Sequence, residues 1–133
     1  MGSVSARAET TLVHDASAPI TARRALEQLA HDLSEDQLRD ARIVVTELVS
    51  NSVRHASEGA IELRLDLTAT HLVIEVTDGG SAAAPVLVHD GKEALVPHGW
   101  GLHIVDSLSE SWGVRDAPGR RTVWSELRRP AAP

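Results

Sequence analysis

Hydrophobic residues recur at two different periods along this chain, and each change of period marks an element. Residues 10–14 read as a short strand at a sheet edge. Pro19 suits the first turn of a helix, and Leu26, Leu29, Ala30 and Leu33 then repeat at helical spacing. A second helix opens at Ser34, which stands at capping-box spacing from Gln37. Leu38, Ala41, Val45, Leu48, Val49, Ser52 and Ala56 form its apolar or small-residue face, and Gly59 supplies a stop. From Ile61 the period drops to two. Ile61, Leu63, Leu65 and Leu67 alternate with Glu62, Arg64 and Asp66, which predicts a strand with one buried and one wet face. A turn over 68–71 leads into the second arm of a hairpin, with Leu72, Ile74 and Val76 on one side and Asp78-Gly79-Gly80 at its end.

Residues 79–98 keep no period and contain Gly80, Pro85, Gly91 and Pro97. A structureless loop of about 20 residues inside a compact domain is usually functional. A helix over 102–111 then places Leu102, Val105 and Leu108 inward, Pro118-Gly119 turns the chain, and residues 122–127 form the last strand. The order β-α-α-β-β-loop-α-β predicts an α+β fold. Its form is a two-layer α/β sandwich, with a mixed, mostly antiparallel sheet covered on one face by helices. Residues 1–9 and 128–133 read as flexible tails on a single domain with its core at 10–127.

Composition narrows the function. A chain of 133 residues suits one domain. It has no cysteine, which excludes a disulfide scaffold, a thiolate zinc or iron–sulfur site and a cysteine nucleophile. The net charge of −6 disfavours sequence-independent nucleic-acid binding, which rests on phosphate neutralisation. Phe and Tyr are absent and the three Trp are the only aromatics, so an aliphatic core is expected and an aromatic base-stacking platform is not. The 12 Arg against a single Lys read as codon bias. No apolar run reaches the ~20 residues of a membrane helix. The start MGSVSARAET has no apolar signal core. The expectation is a cytoplasmic protein without direct nucleic-acid or membrane contact. None of the seven histidines pairs with another at H-x-x-x-H spacing, so a zinc site is not expected, although His89 and His98 lie near the glycine-rich segment.

Three short patterns carry candidate chemistry. On the second helix Glu47, Asn51 and Arg54 fall within about 60° of one another, opposite the apolar stripe. That is either a solvated face or a site in which Asn51 offers a neutral oxygen to magnesium and Glu47 serves as general base. Asp78-Gly79-Gly80 at a strand end is either a turn or a carboxylate poised for an exocyclic amine, with Gly80 allowing a flat ring to approach. Gly99-Trp100-Gly101-Leu102 at a helix start is either a hinge or an anion site of backbone N–H groups. Neither a Walker loop nor a dinucleotide fingerprint is present.

The order of these pieces is more specific than any one of them. E-x-x-x-N on a helix, D-x-G at a strand end, a loop, then G-x-G-L on a helix and a final strand from Thr122 resembles a known ATP-binding fold. Gyrase, the mismatch-repair protein MutL, the heat-shock chaperones and the histidine kinases share it. Within that group the chain looks most like the stand-alone anti-sigma-factor serine/threonine kinases. The resemblance covers residues 10–127 and implies ATP and magnesium as cofactors. It implies that Asn51 coordinates magnesium bridging the phosphates and that Glu47 is the general base toward the acceptor hydroxyl. Asp78 would bind the adenine amine with Gly80 beneath the ring. Gly99, Trp100, Gly101 and Leu102 would give backbone donors to phosphates, Thr122 would reach adenine through water, and Arg54 would lie near the phosphates. Residues 81–98 would be the ATP lid. The implied partners are a sigma factor, an anti-sigma antagonist protein and a second copy of the chain. Ala82 stands where the family often has a second glycine, and alanine lacks glycine's freedom at positive φ. Three readings stay open at this point: a protein kinase, a nucleotide-binding switch acting through a partner, and a domain that takes no nucleotide.

Overall fold

A 21-residue helix, Glu35–His55 (α2), lies at the centre of the helical layer, because Ala41, Val44, Val45, Leu48, Val49 and Ser52 are buried along one side of it. Its start matches expectation: the Ser34 hydroxyl accepts from the Gln37 N–H, and the Gln37 side chain accepts from the Ser34 N–H. That box satisfies two donors the helix would otherwise leave open. The computed structural model describes residues 3–56, 59–80 and 100–130.

Around α2 stand Ala6–Leu12 (β1), Ala18–Glu27 (α1), Ile61–Leu67 (β2), His71–Asp78 (β3), Trp100–Leu108 (α3), Ser111–Ala117 (β4) and Arg120–Arg128 (β5). The strands form one sheet in the order β1-β2-β3-β5-β4, and each of its pairings is antiparallel. The α+β sandwich is therefore as expected, with an antiparallel sheet in place of a mixed one among the described residues. Helices α1 and α3 both pack on α2. Ile61, Leu63, Leu65, Leu67, Leu72, Ile74, Val76, Val123 and Leu127 turn into this layer and are buried. The other sheet face carries ion pairs, including Arg64 and Arg115 on Glu75. No described helix is long and apolar enough to cross a membrane.

Several boundaries depart from expectation. The first strand runs from Ala6 to Leu12, so it begins inside the stretch expected as a tail. Its register explains the shift: Ala8 and Leu12 face the core opposite Leu65 and Ile61, whereas Val13 is 68% exposed. Helical spacing through Leu33 hides a break. The helix stops at Glu27, and a short 3-10 turn over Ala30–Asp32 delivers the chain to the Ser34 cap. The second helix ends at His55, ahead of Gly59. At the other end, Arg129 is no loose tail, because its guanidinium donates to the Thr68 and Asp32 carbonyls.

Strand β4 has no counterpart in the sequence reading. Its alternation is interrupted by Gly113, and its last residues are exposed. Gly113 is glycine for a spatial reason. A Cβ there would come within 2.9 Å of Trp124 Cζ2, because the indole of β5 lies across its cross-strand neighbour.

Candidate functional site

Asp78 ends β3 on the inward face, in the alternation set by Leu72, Ile74 and Val76. It is 8% exposed. A buried carboxylate must be hydrogen-bonded to remain charged at modest cost. Here the Ser52 hydroxyl donates to Oδ2 at 2.6 Å, and the Gly80 N–H donates to Oδ1 at 2.7 Å. The second bond closes an Asx turn in which Gly80 has φ +75°, a conformation that a residue with a side chain rarely adopts. Each carboxylate oxygen accepts one bond and retains a lone pair for another donor.

Ser52 follows Asn51 on α2, so the helix that supports Asp78 also presents the E-x-x-x-N pattern. One flank of α2 meets α1 through Arg23 on Thr46 at 3.0 Å and Arg42 on Glu27 at 2.9 Å. At ~100° per residue Asn51 projects from the opposite flank. Asn51 and Glu47 are half-buried and Arg54 is exposed.

The third element is α3. Leu102 and Val105 anchor it in the core. Its carboxyl end is tied to the sheet by Ser109 and Ser125, whose hydroxyls stand 2.6 Å apart, and to β4 by Trp112 Nε1 donating to Asp106 at 2.7 Å. Leu102 therefore serves the core with its side chain, which leaves only its backbone for a ligand. Trp100 and Gly101 are described as helix backbone only, and Gly99, Ala82, His89, His98 and the expected lid lie outside the described residues.

Thr122 is set by register on the opposite face of the sheet from Asp78. It pairs with Thr77, and their hydroxyls stand 2.7 Å apart. Both belong to the open face of the sheet, where they line a shallow cavity of about 370 Å³ together with Arg64, Glu75 and Arg115. Asp78 belongs to the other face. The β5 residue opposite Asp78 is Arg121. Its Nε donates to Asp116 at 2.8 Å.

Two residues at this site went unread in the sequence as chemistry. Ser52 reads there as a small residue of the apolar stripe, and a polar side chain at a core position was the available signal. Arg121 could be found only by knowing the strand register. Beside Asp78 lies a crevice of about 260 Å³ lined by Gly59, Ala60, Thr77, Gly79, Gly119 and Arg120.

A helix carrying E-x-x-x-N thus lies beside a buried, hydrogen-bonded carboxylate, and comparison with known proteins assigns the chain to a family. The model of the histidine kinase-like ATPase domain family matches residues 13–126. The chain belongs to that family, and ATP is the ligand membership implies. A crystal structure of the RsbU and RsbW domains of Rv1364c from Mycobacterium tuberculosis is similar to it, with a TM-score of 0.70 and 21% identity. The match covers 96% of this chain and 34% of that one, so the chain spans about a third of its length. Among curated proteins none matches.

Proposed function

We propose that the protein is an ATP-binding regulator: an anti-sigma factor with serine/threonine kinase activity toward an anti-sigma antagonist protein. The observation that carries the nucleotide reading is the buried Asp78 carboxylate, oriented by Ser52 and Gly80 with acceptor capacity remaining on both oxygens. Such a group suits an exocyclic amine such as that of adenine. Family membership and the likeness to a structure containing an RsbW domain support the regulatory reading.

Asn51 and the nucleotide phosphates would hold magnesium, whose chemistry is to neutralise charge on the transferring phosphoryl group. Asn51 would be the protein ligand, and no cluster of three or more His, Asp or Glu side chains suited to a metal occurs among the described residues. Backbone N–H groups over residues 99–102 would position the phosphates. Glu47, half-buried on the outer side of α2, would take the proton of the acceptor hydroxyl as its oxygen bonds the γ-phosphorus and the bond to ADP breaks. Arg54 would add positive charge near the phosphates. A sigma factor, the antagonist and a second copy of the chain are the proposed partners, and the cytoplasm the proposed location.

A second reading is a nucleotide-binding switch without useful transfer, favoured by Ala82 at a position where the family often has glycine. Calorimetric titration with ATP, with and without magnesium, tests the shared premise. Asn51→Ala should remove the magnesium-dependent part of the affinity. Glu47→Ala should leave affinity nearly intact and lower phosphoryl transfer to an antagonist protein by ~10²–10⁴-fold. Undiminished transfer in that variant would rule out Glu47 as base, and no transfer by the native protein would favour the switch.

A further inference from the structure

Arg121 occupies an unusual position for an arginine in this sheet. It is directly opposite Asp78 in the β3–β5 register, so the two side chains rise from the same face. Directly opposed residues in an antiparallel pair have Cβ atoms ~4.5–5.5 Å apart. Arg121 also borders the glycine turn, since a Cβ built on Gly80 would lie 3.8 Å from Arg121 Cβ. The other arginines of this end of the sheet reach into solvent, with side chains 57% (Arg115) and 63% (Arg120) exposed, against 16% for Arg121.

Its donors are only partly used. Nε is committed to Asp116, and among the described residues that is its one acceptor. A guanidinium has five N–H donors in a rigid plane, so the terminal nitrogens keep theirs for another group. Asp116 is half exposed and holds Nε from the neighbouring strand β4. The end of the sheet thus carries a carboxylate acceptor on β3 and a guanidinium on β5 at paired positions of one face, with Nε drawn to β4 and the terminal nitrogens uncommitted among the described residues. Adenine carries the matching edge, an exocyclic amine that donates, flanked by ring nitrogens that accept.

We propose that Arg121 is a second base-reading residue of the site. Steadied by Asp116, it donates to a ring nitrogen beside the amine that Asp78 accepts. This rests on the nucleotide reading of Asp78 given above. It assigns to Arg121 the edge of the base expected from sequence for Thr122, which the register turns to the opposite face.

The test is calorimetric binding of ATP, 1-deaza-ATP and 7-deaza-ATP to the full chain, to Arg121→Met and to Asp116→Asn, each checked for folding by circular dichroism. Arg121→Met should bind ATP ~10-fold more weakly, the scale of one hydrogen bond to a charged group. For the analogue that lacks the contacted nitrogen, the native protein and Arg121→Met should bind alike. Asp116→Asn, which keeps the guanidinium but loosens it, should show a smaller loss with the same dependence on the analogue. Native-like ATP binding by Arg121→Met, or an equal loss with all three nucleotides, overturns the assignment. A native protein that takes no ATP overturns the nucleotide reading of Asp78 itself.

Discussion

Asp78 and Ser52 come from elements 26 positions apart and are coupled by a single buried hydrogen bond. Removing the hydroxyl leaves one carboxylate oxygen in the core without its donor, a loss of ~1–3 kcal/mol for a buried polar group. Ser52→Ala should therefore lower the stability measured by urea unfolding by about that amount, and should weaken ATP binding because Oδ2 is no longer held in place. An unchanged midpoint together with unchanged affinity would show that the bond does neither job. The companion bond from Gly80 depends on φ +75°, so Gly80→Ala bears on both the turn and the carboxylate.

At the scale of elements, register decides what each side chain faces, since shifting a strand by one residue exchanges its two faces. The β3–β5 register puts Val76, Asp78, Arg121 and Val123 beneath the helices, and Thr77 and Thr122 on the open face. Thr122→Val should accordingly leave ATP affinity within twofold or so of native, its hydroxyl partner being Thr77 alone among the described residues. A tenfold loss measured by calorimetry would restore Thr122 to the site. The helices show the same dependence on context. Capping chemistry at Ser34 and Gln37 was readable because it is local, whereas the break after Glu27 is set by the need to turn the chain onto α2.

Across the whole molecule, charge is arranged in layers. The helix-facing side of the sheet is mostly aliphatic, with Ser125 within it and Asp78, Arg121 and Asp116 at its end, and the open face is laced by arginine–carboxylate pairs. Burial raises the Glu75 carboxyl, but hydrogen bonds from Arg115 and Arg64 outweigh it, so its pKa falls below the ordinary value. Glu110 is lowered too, by hydrogen bonds from His71 and then Arg128. Both groups bind protons less readily folded than unfolded. Their contribution is thus complete above the ordinary glutamate range, near pH ~4.3, and is lost as pH falls through the lower folded values. Urea midpoints should drop as pH is taken from 6 toward 3, and Glu75→Gln should flatten part of that slope. A slope identical in the variant would show that Glu75 carries none of it.

The sequence by itself determined the features whose physics is local: the amphipathic period of α2, the Ser34 cap, the hairpin of Ile61–Leu67 with His71–Asp78, and the order of the three short motifs. These follow from side-chain spacing along one segment, so they are legible without neighbours. Tertiary structure alone decided the rest. Strand β4 pairs with β5 across a Gly113 that leaves room for the Trp124 indole, Ser52 becomes polar support because Asp78 arrives opposite it, and Thr122 and Arg121 take opposite faces because strand pairing fixes them. Each of those outcomes depends on contacts between distant segments, whose register a linear pattern does not encode.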